Sequence, residues 1–153
     1  MIVYTLNMTF IVSTQGEEGS FHHAAIADFF GQTDLSIINK PNFADAVEEL
    51  VVGHADRAVV AIENSLYGTI NTVYDLLLQS DITICGEVYL HIEQNLIGFA
   101  GTNLQDIKEV YSHPVALAQC ETFLDNELPN AERREHHDTA ASVADVKKWK
   151  DPK

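Results

Sequence analysis

Residues 58–78, AVVAIENSLYGTINTVYDLLL, decide how this chain folds. They open on an apolar, β-branched run at residues 59–62, a composition typical of a strand buried on both faces. A polar break at residues 63–65 follows, and apolar residues then recur at three- and four-residue spacings from Ile70 to Leu77, which predicts a helix. Polar side chains between a buried strand and a helix N-terminus are typical of a site in an α/β protein.

The preceding residues repeat the same strand–helix order. A strand is predicted at residues 9–14, a helix from the N-cap Ser20 to Gly31, a strand at 35–38, and a helix at 43–52 between Asn42 and Gly53. Three strand–helix units in residues 9–80 predict a parallel sheet with helices on its faces. The turns at residues 15–20 and 63–69 would then lie at the carboxyl ends of strands, where such folds bind ligands.

The second half of the chain has a different pattern. Residues 82–92 and 96–99 resemble strands with little room for a helix between them, which suggests a crossover into a second lobe. A helical turn at 104–107, a strand at 110–111, a helix from Pro114 to about residue 124 and exposed charges at 132–135 follow. Asp138 or Thr139 caps a last helix. We therefore expect a first lobe at residues 1–80 and a second at 81–153 that lacks a closing strand.

Charge and cysteine content limit the classes of function. The 153 residues carry 9 basic and 23 acidic side chains, a formal charge of -14, which argues against nucleic acid and anionic membranes. A small anionic ligand remains possible, because backbone N–H groups and hydroxyls can hold it. Cys85 and Cys120 have no metal-ligand spacing, so both are predicted to be buried free thiols of a reducing compartment such as the cytoplasm.

Five motifs, in order along the chain, resemble one family. They are Gln15-Gly16 with Gly19-Ser20-Phe21 and His23; Ile62-Glu63-Asn64-Ser65 with Gly68-Thr69-Ile70; Gly86-Glu87; Tyr111-Ser112-His113-Pro114 with Ala116-Leu117 and Gln119-Cys120; and Asp138-Thr139-Ala140. With them, residues 10–153 resemble the prephenate dehydratases, which convert prephenate to phenylpyruvate in L-phenylalanine biosynthesis. The reaction requires no metal and no organic cofactor.

The resemblance also implies a fold and a site. The fold would be α/β, a two-lobed periplasmic-binding-protein-like (type II) architecture with the substrate in the cleft and the second lobe incomplete, in a protein that forms a homo-oligomer, a dimer. The residues that match the family's functional positions fall into two groups. The catalytic candidates are Asn64, Ser112, Gln119 and Thr139, and the substrate-binding candidates are Glu63, Ser65, Thr69 and Ser20.

Two departures from the family pattern affect what the chain is expected to do. Gln94 stands where the family commonly has a histidine. The family's Thr-Arg-Phe motif, which supplies a hydroxyl and a guanidinium, does not occur in the sequence, nor does the regulatory domain that binds phenylalanine in many members. The chain is therefore expected to be a C-terminally truncated catalytic domain, weakly active or inactive alone. The true substrate could be prephenate or its amino analogue arogenate.

Simpler structural roles compete with these assignments. Asn64 and Ser65 could form an ordinary helix-entry turn, and Glu63 could complement a helix dipole. Ser112 and His113, which precede Pro114, are equally good N-cap residues.

The remaining polar signals have weaker functional interpretations. An exposed helix face would explain Gln119 about as well as a site does. The histidine pairs at residues 22–23 and 136–137 have no evident third ligand, so solvated histidines are favoured over a metal site.

Two alternatives to an enzyme remain open from the sequence. The chain could be a non-catalytic two-lobed module that closes on a small carboxylate ligand, or an acidic interaction domain without a site. The second alternative leaves unexplained why polar residues gather at the predicted strand ends.

Overall fold

A computed structural model describes residues 9–31 and 34–149. The contacts between residues divide the chain into two units, Met1–Leu90 and His91–Lys153. Among the described residues, none of the helices is both long and apolar enough to cross a membrane. The strand predicted at residues 9–14 lies within the described part of the chain. Residues 1–8, which belong to the predicted first lobe, lie outside it.

The first unit is built on a three-stranded parallel sheet. The elements of this unit are β1 (Phe10–Gln15), α1 (Phe21–Phe30), β2 (Leu35–Lys40), α2 (Phe43–Val51), β3 (Arg57–Val59), β4 (Glu63–Asn64), β5 (Gly68–Thr69) and α3 (Asn71–Gln79). The strand order is β2-β1-β3, with Val12 opposite both Ile37 and Arg57. This arrangement confirms the predicted parallel sheet. The prediction of a strand buried on both faces at residues 59–62 was wrong, because β3 ends at Val59, which is only half-buried, and Ile62 is exposed.

The core of this unit follows from the position of β1 in the middle of the sheet. Val12, Ser13 and Thr14 of β1 are fully buried, and the hydroxyl of Ser13 donates to the Ala46 carbonyl oxygen over 2.6 Å. Helix residues such as Ile26 and Val73 supply the other buried side chains. A central strand is covered on both faces, which explains why its polar hydroxyls are satisfied internally.

The predicted helix ends are confirmed. Ser20 Oγ accepts the His23 N–H over 3.4 Å, and Asn42 Oδ1 accepts the Asp45 N–H over 2.8 Å, so each side chain satisfies a helix N–H that has no partner within the helix. Gly31 follows α1 with a φ of 65°, a backbone conformation that favours glycine.

The prediction that residues 82–92 and 96–99 form strands was wrong. Residues 81–99 contain no helix or strand, and several of their apolar side chains are exposed, including Tyr89 at 88% and Ile84 at 69%. Alternating apolar residues become a strand only when a second strand accepts their backbone hydrogen bonds, and the described part of the chain offers them none. Cys85 in this segment is also exposed, so the prediction that it is buried was wrong.

One glycine in this segment has a steric role. A Cβ placed on Gly86 would lie 2.5 Å from Cζ of Phe29, the ring of α1 that packs over it. Glycine at this position therefore allows the backbone to pass close beneath the ring.

The second unit contains a two-stranded parallel sheet and four helical pieces. The elements are a 3₁₀ turn (Leu104–Asp106), β6 (Glu109–Ser112), α4 (Pro114–Gln119), α5 (Glu121–Glu127), β7 (Glu132–Glu135) and α6 (Thr139–Trp149). Strands β6 and β7 pair in parallel, with Val110 opposite Arg133. The single helix predicted from Pro114 is interrupted at Cys120, whose φ and ψ of −96° and 5° separate α4 from α5.

The core of the second unit is small. Leu117, Leu124 and Leu128 are buried together, and Val110 and the half-buried Cys120 pack against them. Burial raises the pKa of the Cys120 thiol, as expected for a thiol in apolar surroundings. The packing links α4 and α5 to the sheet through their apolar faces.

Strand β7 consists only of charged residues, all exposed. The sequence predicted this exposure but not the strand. Ion pairs stabilise it: Arg134 contacts Glu109 at 3.1 Å and Glu132 at 2.7 Å, and Arg133 contacts Asp125.

Candidate functional site

The polar break at residues 63–65 forms a β-hairpin. Strands β4 and β5 pair antiparallel, with Glu63 opposite Thr69 and Asn64 opposite Gly68. Gly68 has a φ of 82°, which this turn requires. The helix that follows begins only at Asn71, and its N-cap position, Ile70, makes no side-chain cap hydrogen bond. The prediction that polar residues are delivered to a helix N-terminus was therefore wrong. The alternative of an ordinary helix-entry turn was wrong as well, because these residues form a hairpin.

Asn64 shapes the hairpin turn through one end of its amide. Its Oδ1 accepts the backbone N–H groups of Leu66 at 3.0 Å and Tyr67 at 3.1 Å. An amide side chain carries a carbonyl acceptor on one side and an NH₂ donor on the other. The turn therefore engages the acceptor, and the donor is the part of the side chain suited to a carboxylate ligand.

The other candidates on the hairpin are exposed. Glu63, Ser65 and Thr69 all lie at the surface, with Glu63 and Thr69 on adjacent strands and Ser65 in the connecting turn. Glu63 does not lie in the first turn of α3, which contains no acidic residue, so the dipole role proposed for it does not apply. The hairpin thus presents four candidate side chains within seven residues.

Ser20 lies beyond the carboxyl end of β1 in the three-stranded sheet, which is separate from the β4–β5 hairpin. It follows β1 after the turn at residues 16–19, is buried, and accepts the His23 N–H as the N-cap of α1. The Nε2 atom of His23 lies 2.6 Å from Oδ1 of Asn39, near the carboxyl end of β2. Parallel strands place these ends at one edge of the sheet.

In the second unit, Ser112 is the last residue of β6 and is half-buried. The N-cap of α4 is His113, whose Nδ1 accepts the Val115 N–H over 3.2 Å. The alternative in which Ser112 caps this helix therefore does not hold. The Ser112 backbone carbonyl accepts the His136 N–H over 2.8 Å, which ties the strand end to the residue after β7.

Thr139 has a similar position after β7. It is the first residue of α6 and half-buried, while Asp138 Oδ1 accepts the Ala141 N–H over 2.8 Å and so caps the helix. Of the two cap residues that the sequence allowed, Asp138 is the one used. Because β6 and β7 are parallel, Ser112, the last residue of β6, and Thr139, which comes four residues after β7, belong to the carboxyl ends of strands at the same edge of the sheet.

Gln119, the last residue of α4, is half-buried. It lies five positions after Pro114, about 7.5 Å along the helix axis. Its Oε1 accepts a hydrogen bond of 3.1 Å from Nε2 of Gln94. The sequence marked Gln94 only as a departure from the family pattern, and this contact was missed because it joins residues 25 positions apart.

A charged cluster lies on β6 beside Ser112. The Tyr111 hydroxyl donates to Glu109 Oε2 over 2.5 Å, and Arg134 donates to Glu109 Oε1. These two donors lower the pKa of the Glu109 carboxyl, the Tyr111 hydroxyl more than Arg134, and the same hydrogen bond raises the pKa of Tyr111. The Tyr111 ring packs edge-on against Trp149 with centroids 4.8 Å apart, which joins β6 to the end of α6.

The histidine pairs are more involved in structure than the sequence suggested. His22 is half-buried against the Phe43 ring, and His136 bonds through Nε2 to Asp145 at 3.2 Å, so neither is a merely solvated histidine. The described residues contain no cluster of histidine, cysteine and acidic side chains that could hold a metal ion.

A family model described as prephenate dehydratase matches residues 12–153. The chain belongs to the prephenate dehydratase family. It is 41% identical over 124 residues to a bifunctional chorismate mutase/prephenate dehydratase of Stutzerimonas stutzeri, covering 80% of this chain and 33% of that protein. It is 39% identical over 132 residues to arogenate dehydratase 4, chloroplastic, of Arabidopsis thaliana, covering 86% of this chain and 31% of that protein. The chain thus spans about a third of the length of these curated relatives.

Two solved structures share the mixed α/β fold. A prephenate dehydratase from Arthrobacter aurescens in complex with L-Phe has a TM-score of 0.69 and 31% identity, over 89% of this chain and 45% of that one. A protein described as GqqA, a novel type of quorum quenching acylase, has a TM-score of 0.78 and 27% identity, over 91% of this chain and 50% of that one.

Proposed function

We propose that the protein containing this chain is a prephenate dehydratase, a lyase that removes CO₂ and hydroxide from prephenate to give phenylpyruvate. The family match over residues 12–153 carries the proposal. The product ring is aromatic, so much of the driving force is built into the substrate. The protein must orient a dianion, assist the departing hydroxyl and surround the departing carboxylate with few waters.

The amide candidates, Asn64 and Gln119, suit the binding of the substrate's carboxylates. In each, the carbonyl oxygen is engaged within the protein, by the hairpin turn in one case and by Gln94 in the other. The NH₂ groups are thereby directed away from those partners as donors. Neutral amides hold a carboxylate without the strong ion pair that would retain it, which fits a reaction in which one carboxylate must leave.

The hydroxyl candidates, Ser112 and Thr139, suit proton donation to the leaving hydroxyl. Ser112 ends β6 and Thr139 follows β7, and the capping bonds of the adjacent helices use His113 and Asp138 instead. Their hydroxyls are therefore not committed to these caps. Glu63, Ser65, Thr69 and Ser20 are the proposed substrate-binding residues of the first unit.

The proposed architecture is the two-lobed, periplasmic-binding-protein-like one, with lobes at residues 1–80 and 81–153. The two parallel sheets, each followed by helices, support it. We further propose a cytoplasmic homodimer that uses no cofactor and binds neither nucleic acid nor membrane. Exposed apolar side chains such as Tyr89 and Leu78, at 88% and 84%, are surfaces that an assembled protein would cover.

Arogenate is the alternative substrate within the same reaction. The relative named arogenate dehydratase 4 is 39% identical, close to the 41% of the relative named prephenate dehydratase. Arogenate carries an amino group where prephenate carries a keto group, so a site that accepts both must tolerate a positive charge there. The acidic chain, at -14, favours such tolerance in a general way.

An acylase activity is a second candidate, favoured by the TM-score of 0.78 to the structure described as a quorum quenching acylase. Acyl transfer needs a nucleophile activated by a base. The histidine next to Ser112 is His113, and its Nδ1 accepts the Val115 N–H as a helix cap, so that nitrogen is engaged in structure. We therefore favour the dehydratase.

The test is an assay of the complete protein with prephenate and, separately, arogenate. Phenylpyruvate from prephenate, detected by its alkaline absorbance, is the expected product, and phenylalanine from arogenate would identify the alternative substrate. A fatty-acyl homoserine lactone serves as the acylase probe. Binding of prephenate without product would favour the non-catalytic carboxylate-binding module, and neither binding nor product would overturn the proposal.

A further inference from the structure

A contact between two amide side chains in the second unit determines which way one of them faces. Gln94 lies in the irregular segment before the 3₁₀ turn, and Gln119 is the last residue of α4. The Nε2 atom of Gln94 donates to the Oε1 atom of Gln119 over 3.1 Å, a normal hydrogen-bond length. The bond joins residues 25 positions apart, so it links the irregular segment to the helix.

The direction of this hydrogen bond matters for Gln119. A glutamine side chain is planar, with an acceptor oxygen and a donor NH₂ on opposite sides of the same carbon. When Gln94 donates to the oxygen, the NH₂ group of Gln119 faces away from Gln94. The bond itself is exposed, and it leaves the NH₂ group of the half-buried Gln119 on the side away from Gln94, where it can donate to an acceptor.

The backbone next to Gln94 is itself shaped by a local hydrogen bond. Asn95 Nδ2 donates to the Glu93 carbonyl oxygen over 3.1 Å, a bond that spans Gln94. The side chain of Glu93 lies 3.5 Å from Nε2 of His91, so the neighbouring carboxylate has a partner other than Gln94. These contacts lie on either side of Gln94 in the irregular segment from which its amide reaches α4.

We propose that Gln94 is a positioning residue that orients the Gln119 amide, so that its NH₂ group faces a carboxylate of the ligand. The inference rests on the proposed function of Gln119 in substrate binding, and it adds Gln94 as the residue on which that role depends. The ligand class is a small organic carboxylate. Gln94 acts through Gln119 and makes no contact with the ligand.

The test compares two variants of the complete protein. Gln94→Leu keeps the size but removes the donor, so the Gln119 amide becomes free to rotate, and KM for prephenate should rise about five-fold with kcat unchanged, since a binding interaction is weakened. Gln94→Glu offers only acceptors, which would draw the NH₂ group of Gln119 toward position 94 and turn its oxygen to the ligand. The rise in KM should then exceed that of Gln94→Leu.

A double-mutant cycle separates orientation from other effects. In a Gln119→Leu background, Gln94→Leu should change KM by less than about two-fold, because the group it orients is absent. Gln105→Leu, the same exchange at an exposed position in the same unit, is the control and should leave KM unchanged. Circular dichroism should be the same for the wild type and for all of these variants.

Several results would overturn the inference. Wild-type KM in Gln94→Leu, a milder effect of Gln94→Glu than of Gln94→Leu, or an undiminished effect in the Gln119→Leu background would each do so. If the wild-type protein neither binds nor consumes prephenate, the proposed function fails separately. The side-chain amide NMR signal of Gln119 then decides about Gln94: it should shift in Gln94→Leu, and an unshifted signal overturns the orienting role.

Discussion

The candidate site residues of the two units differ in how far they take part in the local fold. In the first unit, Asn64 holds the hairpin turn and Ser20 caps α1, so the candidates themselves satisfy backbone N–H groups. In the second unit, His113 and Asp138 cap the helices beside Ser112 and Thr139. In the first unit, one side chain has both a structural role and a proposed role at the site. In the second unit, neighbouring residues divide these two roles.

This difference has a consequence for mutagenesis. Where one residue has both tasks, its removal should lower activity and stability together. Where neighbours share the tasks, each substitution should affect mainly one of them. Substitutions at Thr139, Asn64 and Asp138 test this division.

Thr139→Val should lower kcat for prephenate by about 10²-fold, the lower end of what a proton-donating side chain contributes. Valine keeps the shape of the side chain and Asp138 still caps α6, so the free energy of unfolding should change by less than about 0.5 kcal/mol. Steady-state kinetics and urea unfolding measure the two quantities. Thr139→Ser retains the hydroxyl and should keep most of the activity; equal losses in both variants would argue against a role for the hydroxyl.

Asn64 offers a way to separate its two tasks. Asn64→Ala removes the turn acceptor and the NH₂ donor, so activity should fall about ten-fold and the free energy of unfolding by about 1 kcal/mol. Asn64→Asp keeps an oxygen for the N–H groups of Leu66 and Tyr67 but removes the donor. It should be as inactive as Asn64→Ala and nearly as stable as the wild type. An active Asn64→Asp would restrict Asn64 to the turn.

Asp138→Ala should mainly affect stability. It leaves the Ala141 N–H without its acceptor, and loss of an N-cap costs about 1 kcal/mol. The Thr139 hydroxyl remains, so kcat should fall by less than about five-fold, through looser placement of the first turn. Asp138→Asn retains the cap oxygen as the matched variant. A kcat loss as large as that of Thr139→Val would contradict the division of tasks.

The pH dependence of stability should reflect Glu109. The Tyr111 hydroxyl and Arg134 lower the pKa of this carboxyl below its ordinary 4.5, so folding favours its ionised form. The contribution of Glu109 to the free energy of unfolding is complete above that ordinary pKa and disappears as the pH falls through the lowered pKa. Glu109→Gln should therefore be less stable than the wild type at pH 7, with a difference that shrinks in acid, as measured by urea unfolding at several pH values.

Tyr111→Phe is the companion variant. It removes the hydroxyl but keeps the ring that packs against Trp149. The free energy of unfolding that Tyr111→Phe loses at pH 7 should be smaller than the loss in Glu109→Gln, because the ion pair between Arg134 and Glu109 remains. A difference from the wild type that persists unchanged in acid would show that lost packing, and not the lost hydrogen bond, is responsible.

Local signals explain why much of the first unit could be predicted. Ser20, Asn42 and Gly31 act within three or four residues of where they stand, and the buried run around Val12 needs only the sheet that it helps to form. The parallel sheet and the ends of α1 and α2 could therefore be predicted from the sequence, whereas the third strand lies at Arg57–Val59 and not at residues 59–62.

Elements that depend on a distant partner could not be predicted. Strand β7 contains four charged residues and pairs because β6 lies beside it. The hairpin at residues 63–69 has the polar pattern of a helix entry, and its pairing involves only four residues. The reverse error occurred at residues 82–99, where strand-like alternation has no pairing strand among the described residues.

The same distinction applies to the candidate site. The family motifs locate the residues, and sequence alone left the competing cap roles of Ser112 and Asn64 open. In the structure, His113 and not Ser112 caps α4, and the Asn64 side-chain oxygen lies in a hairpin turn. Gln94 was noticed in the sequence but could not be joined to Gln119, because no local pattern connects two residues that meet only through the fold.

The most direct test of the account is phenylpyruvate formation from prephenate by the complete protein and its Ser112→Ala variant, measured together with urea unfolding of both. The account predicts turnover by the wild type, a kcat about 10²-fold lower in the variant, and equal unfolding midpoints, because His113 supplies the cap. Undiminished activity in Ser112→Ala, or a wild-type protein that forms no phenylpyruvate, would contradict it.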